Sequence, residues 1–237
     1  MYDKDFINIK LTLSTIDRYI IRSSIFSEIE NNLFRFDGKL LDAGCGKMPY
    51  KEYILNNSRL KEYIGLDIES ALEYDTGVRP DFTWDGEKMP FDNDSFDCVF
   101  STEVIEHVPN LESYLLECYR VLKPGGFILF TTPFLWNLHE VPYDECRYTP
   151  FSLKRYFEKT GFENIDIKAT GGWHAAMAQM LGLYVSKSLM RKSIKKILKV
   201  IALPIIKLLV KKDKSYGTID FHEGTMITGV VGTGRKP

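Results

Sequence analysis

The chain has 237 residues, 44% hydrophobic and 27% charged, the ordinary make-up of a soluble globular protein with one sizeable core. A formal net charge of -1 gives no global attraction to nucleic acid, and the four cysteines, Cys45, Cys98, Cys118 and Cys146, form neither a CxxC pair nor a zinc spacing, so reduced thiols in a cytosolic protein are expected. No basic-then-apolar leader opens the chain, and no run of about 18 uncharged apolar residues occurs, so neither a signal peptide nor a spanning helix is expected.

In chain order, Ile16, Tyr19, Ile20, Phe26, Ile29 and Leu33 recur at helical spacing and predict an amphipathic helix over 14–36. "KLLDAG" reads as a strand, "YKEYILNN" as a helix, and "EYIGLDIES" as a strand ending at Asp67. "PDFTWDG" is a weaker strand ending near Asp85, and "FDCVFST" is a fourth. "NLESYLLECYRVLKPGG" reads as a helix with the stripe Leu111, Leu115, Cys118 and Leu122, stopped by Pro124-Gly125-Gly126. "FILFTTP" is a fifth strand. "TPFSLKRYFEKTG" is a helix with Thr149 as N-cap, Pro150 at its first position and Gly161 after its end. "FENIDIKAT" and the late "GTMITGVVGTGR" complete seven strands.

Strands that alternate with helices predict a parallel, doubly wound sheet buried on both faces, in which ligands bind at the carboxyl ends of the strands. The glycine turn after the first strand, Asp67 and Asp85 all fall at that edge. Two glycines one residue apart, Gly44 and Gly46, suggest a backbone that a ligand approaches closely. Asp67, 21 residues after Gly46, can accept hydrogen bonds from ribose hydroxyls. That geometry suits either NAD or S-adenosylmethionine. A dinucleotide-binding oxidoreductase needs a third glycine where this chain has Pro49, and no hydride-transfer pair of Tyr and Lys follows. Taken singly, Asp67 could be a helix cap or loop acid, and Asp85 could start an Asx turn with Gly86.

"LLDAGCG", "YIGLDIES", "FTWDGEKMPFDNDSFDCVFSTEVIEHV" and "YRVLKPGGFILFTTP" together resemble a class I S-adenosylmethionine-dependent methyltransferase of the type 11 group, over residues 39 to 170. The resemblance implies a Rossmann-like seven-stranded sheet with an antiparallel last strand, a slot that "GTMITGVVGTGR" fits. It implies that Asp42, Gly44, Cys45 and Gly46 surround the methionine part of S-adenosylmethionine. Asp67 holds the ribose hydroxyls, Ile68 is a further cofactor-binding residue, and Asp85 and Gly86 meet the adenine edge, with Asp85 accepting from the exocyclic amine. Ser101, Thr102 and Glu103 lie beside the sulfonium. The chain departs from the fuller motif at Met48, where many members carry a third glycine, which leaves the fine loop geometry open.

The loop "PFLWNLHEVPYDECRYTP" hangs over the same edge and crowds aromatic and ionisable groups, as ligand-binding loops do. Its pattern His139-x-x-Pro142-x-Asp144-x-x-Arg147-x-Thr149 is similar to one in bacterial methyltransferases of sugar and surface-polysaccharide biosynthesis. The expected catalytic set is His139 as base or acceptor-orienting group, with Asp144 and Arg147 shaping the loop. Asp144 and Arg147 could equally be a local ion pair that orders it. His107 reads as a structural histidine near the cofactor edge. His139, Asp144, Cys146 and His174 match no ligand spacing, so no metal is expected.

The expected activity is methyl transfer at oxygen to a small-molecule, sugar or lipid-linked acceptor. An RNA methyltransferase is a further reading, against which "STEVIEH" stands where base-methylating enzymes carry Asn/Asp-Pro-Pro-Tyr/Phe; no nucleic-acid partner is expected. A catalytically inert binding module is another.

The domain expectation is a single methyltransferase domain, 1–237, with an N-terminal helical segment, 1–36, and a helical insertion or cap, 171–220. Residues 187 to 214 carry ten Lys or Arg and one acid, +9 against -10 for the remainder. Within them, Met190, Ile194, Ile197, Leu198 and Ile201 fall on one helical face, Arg191, Lys192, Lys195, Lys196 and Lys199 on the other, and Pro204 is expected to kink or end the helix. Such a helix caps the acceptor pocket or lies on an anionic membrane, so the expected location is cytoplasmic with possible peripheral membrane contact.

Overall fold

The computed structural model describes residues 2–69, 77–213 and 218–237. Ser70, which closes the "YIGLDIES" motif, and Lys214, which closes the basic run, lie outside the described residues.

Helix α1 spans Tyr19–Asn32 and ends in a 3-10 turn, Leu33–Arg35. It starts later than the periodicity predicts. Thr15 Oγ1 accepts from the Thr12 amide at 2.9 Å and donates to the Lys10 carbonyl, and such hydroxyls compete with the helical backbone. Strands β1 (Asp37–Ala43), β2 (Arg59–Ile68), β3 (Phe82–Trp84) and β4 (Phe96–Thr102) follow, with α2 (Lys51–Asn57) between the first two. Helix α3 (Leu111–Val121) stops before Pro-Gly-Gly, and β5 runs over Leu122–Pro133. Leu122, expected as the last residue of the helical stripe, instead pairs with Phe96 of β4. Pro124 disfavours a helical Lys123, so the helix closes ahead of it.

Helix α4 (Pro150–Lys159) has the expected cap: Thr149 Oγ1 accepts from the Ser152 amide at 3.3 Å, and Gly161 takes φ +92° beyond its end. Strand β6 (Glu163–Thr170) leads to α5 (Trp173–Lys187) and α6 (Lys192–Lys212), then to a two-residue strand β7 (Thr218–Ile219) and β8 (Gly229–Arg235).

The sheet order is β3-β2-β1-β4-β5-β8-β6-β7. The first five strands are parallel, and β8 inserts antiparallel to both β5 and β6. The short β7 adds an antiparallel edge beyond the seven strands expected. Alternate residues of the central strands serve opposite faces. Leu41 and Val99 pack under Leu115 and Leu153, while Leu40, Cys98 and Phe100 pack under Ile25, Ile29 and Ile54. Strand order reverses between β1 and β4, so the carboxyl ends of those two strands form the crevice where ligands of such sheets bind.

A third cluster joins α5 and α6 to Ile16 and Ile20. The face of α6 that packs is not the expected one. Ala202, Ile206 and Val210 are buried, with Leu198 partly so, whereas Ile194, Ile197 and Ile201 are exposed. Pro204 does not end α6, which continues to Lys212. Both Pro204 and Val200, whose carbonyl loses its helical partner, are exposed, so water can satisfy that carbonyl. No described helix is long and apolar enough to cross a membrane.

Candidate functional site

The turn after β1 is built for close backbone approach. The amides of Gly44 and Cys45 both donate to the Leu66 carbonyl, at 2.8 and 3.0 Å, tying the turn to β2. Gly44 sits at φ +85°, and a Cβ there would stand 2.4 Å from Val104 Cγ2, so the position excludes any side chain. Met48 also takes a positive φ of +49°. Its thioether packs against Gly65, where a Cβ would lie 2.6 Å from Met48 Sδ.

Asp67 ends β2 with both carboxylate oxygens engaged. Oδ2 accepts from the Gly46 amide and Oδ1 from the Ile68 amide, each at 2.9 Å. Asp67, Ile68 and Gly46 are thus brought together, and each oxygen keeps further lone pairs for a ligand. Burial raises the Asp67 carboxyl above the ordinary range, and the two amides oppose that rise. Asp42, buried beneath the turn, accepts from the Tyr63 hydroxyl at 2.5 Å and is pushed up to about 7 by burial. Cys45 is buried, and its thiol is raised by the same cause.

Asp85 is exposed at the end of β3, and its Oδ1 accepts from the Glu87 amide at 2.9 Å and the Lys88 amide at 3.3 Å. Those bonds form a local Asx-type turn with Gly86 and hold the carboxyl below its usual value, the Glu87 amide most. Ser101, expected beside the sulfonium, is the penultimate residue of β4. It is fully buried, and its hydroxyl shares a 2.8 Å hydrogen bond with the Tyr114 hydroxyl, which in turn donates to the Ala43 carbonyl. Thr102 pairs with Thr131 at the strand end. Glu103, at φ +54°, accepts from Thr131 Oγ1 at 2.9 Å and is pushed up to about 7 by burial.

The loop after β5 brings His139, Asp144 and Arg147 into one chain of contacts. Arg147 grips Asp144 in a two-pronged ion pair, at 2.5 Å to Oδ1 and 2.8 Å to Oδ2, and holds that carboxyl down at about 2. Asp144 Oδ2 then accepts from the His139 amide at 3.1 Å and lies 3.2 Å from His139 Nδ1. Desolvation holds His139 below its ordinary value, and the neighbouring His107 adds to that. The two imidazole rings stand 4.7 Å apart.

The same loop is pinned to the turn after β4, because the Glu145 and Cys146 amides both donate to the Glu106 carbonyl, at 2.9 and 3.0 Å. Sequence reasoning passed over Glu106. The signal was present in Glu103-Val-Ile-Glu106-His107, two acids and a histidine within one short turn. A cleft of about 530 Å³, lined by Arg35, Asp37, Arg59, Lys123 and Arg235, opens at the amino ends of the parallel strands, away from all of these groups.

Residues 41–130 match a family model described as "Methyltransferase domain". Over 104 residues the chain is 31% identical to phthiotriol/phenolphthiotriol dimycocerosates methyltransferase 1 of Mycobacterium ulcerans, covering 39% of this chain and 36% of that protein. Over 106 residues it is 30% identical to the fatty-acid O-methyltransferase of Mycolicibacterium smegmatis, again 39% and 36%. The aligned region thus spans about a third of the length of these curated relatives. In fold, the chain is similar to Haemonchus contortus phosphoethanolamine N-methyltransferase 2 in complex with S-adenosyl-L-methionine, at TM-score 0.56 and 16% identity, over 95% of this chain and 57% of that one.

Proposed function

With residues 41–130 forming a class I methyltransferase domain of the type 11 group, we propose that the chain transfers a methyl group from S-adenosylmethionine to an oxygen of a small-molecule, sugar or lipid-linked acceptor. The observation that carries the donor half is Asp67. Two backbone amides, one of them from Gly46 of the turn, fix its carboxylate at the end of β2 with lone pairs to spare, which suits a ribose diol. In this reading Asp42, Gly44, Cys45 and Gly46 surround the methionine part of the cofactor, and Thr102 and Glu103, at and just beyond the end of β4, lie beside the sulfonium. Bound there, S-adenosylmethionine supplies a methyl group already activated by its sulfonium charge.

The protein's part is placement and exclusion of water, which can lower a barrier by up to about 7–11 kcal/mol. His139 is the acceptor-orienting group. Asp144, itself fixed by Arg147, holds Nδ1, so the Nε2 lone pair of the neutral ring is left for the acceptor side.

Two observations favour a lipid-linked acceptor. The relatives above are named for lipid substrates. In addition, α6 exposes Ile194, Ile197, Ile201 and Ile205 along one stripe, beside the exposed Lys196, Lys207 and Lys211. That combination suits peripheral contact with an anionic membrane, where each base near the surface adds about 1 kcal/mol. The test has two arms. Release of S-adenosylhomocysteine is screened against glycolipid, nucleotide-sugar and quinone-precursor pools, and cofactor binding without release in any pool would leave an inert binding module. Flotation with anionic liposomes at low and physiological salt is expected to carry the wild type and not Ile197→Asp/Ile201→Asp. No flotation at either salt makes the acceptor a soluble one.

A further inference from the structure

Glu106 is the one titratable side chain among the described residues that buries an oxygen with no hydrogen-bond partner. Its side chain is fully buried, and Oε2 accepts from Thr132 Oγ1 at 3.2 Å. The orphan, Oε1, points between two imidazoles, 3.7 Å from His107 Nε2 and 3.9 Å from His139 Nε2. The far nitrogen of each ring faces an acceptor. His107 Nδ1 lies 3.0 Å from the Tyr143 carbonyl, and His139 Nδ1 lies 3.2 Å from Asp144 Oδ2. Neither acceptor has a proton to give, so each Nδ1 carries one, and both Nε2 atoms of the neutral rings present lone pairs. Three lone-pair donors therefore converge, one of them a buried carboxylate oxygen. A carboxylate left so is costly unless a proton or a cation joins it.

We propose that Glu106 Oε1, His107 Nε2 and His139 Nε2 bind one divalent first-row transition cation of the zinc type. Two imidazoles and one carboxylate with an open position is the donor set of catalytic zinc sites. The carbonyl and carboxylate behind the rings are the outer partners that fix the tautomer of such ligands. The two carboxylate–imidazole separations exceed by a few tenths of an ångström the ~3.3–3.5 Å that tetrahedral bonds of about 2.0–2.1 Å require, and all three ligand atoms lie within 4.8 Å of one another, so a cation between them draws the three together. Glu140 Oε2, 3.6 Å from His107 Nε2, is near as a further oxygen. The ligands come from two loops, after β4 and after β5, which is why no sequence spacing reveals them.

The inference deepens the function proposed above and rests on it for one point only, the acceptor oxygen at the open position. A cation there would orient a hydroxyl and lower its pKa, which makes His139 a ligand in place of a proton acceptor.

The test uses the full chain, stripped with chelator, without cofactor, and zinc alone as the probe. Calorimetry is expected to give one equivalent bound. X-ray absorption is expected to show two imidazoles and oxygen at about 2.0–2.1 Å. Glu106→Gln and His139→Asn should each weaken binding at least tenfold, and Asp144→Asn, which only orients His139, about 10–100-fold. Absence of stoichiometric binding, sulfur scattering in place of imidazole, or full affinity in His107→Asn/His139→Asn would overturn the site. Retained S-adenosylhomocysteine binding checks the fold of each variant. Failure of the wild type to bind S-adenosylhomocysteine would count against the methyltransferase reading and not against the metal.

Discussion

Replacement of Asp67 tests the cofactor reading most directly, and asparagine is the sharper substitution. The carboxylate accepts one amide on each oxygen, from Gly46 and from Ile68. An asparagine can accept only one of them, because its NH₂ would face the other N–H. Asp67→Asn should therefore disturb the turn almost as much as Asp67→Ala, although it preserves shape. Each variant also removes the charged acceptor offered to the ribose hydroxyls. A hydrogen bond to a charged group contributes about 1.5–3 kcal/mol, so affinity for S-adenosylhomocysteine should fall by roughly 10–150-fold. Calorimetry at fixed pH and salt measures the loss, with circular dichroism to confirm the fold. Affinity within about twofold of wild type in both variants, or tighter binding of NAD than of S-adenosylhomocysteine by the wild type, would refute the reasoning.

Asp42 and Glu103 are both raised to about 7 by burial, so between their unfolded values and about pH 7 the folded state holds more protons than the unfolded one. Stability should then fall as pH rises through that window, and Asp42→Asn, which can still accept from Tyr63, should flatten the decline in Tm. Gly44→Ala should lower both Tm and cofactor affinity, because its Cβ meets Val104 and the backbone is left-handed; Gly44→Ala/Val104→Ala should recover part of the loss, since the two closest atoms are gone. His139→Ala should cut turnover far more than cofactor affinity, measured as separate effects on kcat and on S-adenosylhomocysteine binding, and a loss confined to cofactor binding would remove His139 from the acceptor side.

The parts of the site legible in the sequence are those set by neighbours along the chain. The turn at Gly44 and Gly46 follows from backbone stereochemistry after a buried strand, and Asp67 follows from the length of one βαβ passage. The α4 cap at Thr149 and Pro150 is local as well, and the Asp144–Arg147 pair spans only three residues. Tertiary structure decided what those groups meet. Asp67 could have capped a helix; only the approach of β2 to the β1 turn gives it the Gly46 amide. Periodicity alone could not place β8 between β5 and β6, because an antiparallel insertion is chosen by pairing between strands distant in sequence. Asp213, the lone acid of the basic run, accepts from the Ala175 amide at 2.7 Å and so caps α5 from the end of α6. The apolar residues of α6 run most of the way round the helix, so its buried face was set by contact with α5 and Ile16, not by its own pattern. Glu106 and His139 likewise meet only because two loops converge at one end of the sheet. Local chemistry sets the shape of each segment, whereas a site assembled across segments depends on packing energies that no window of sequence contains.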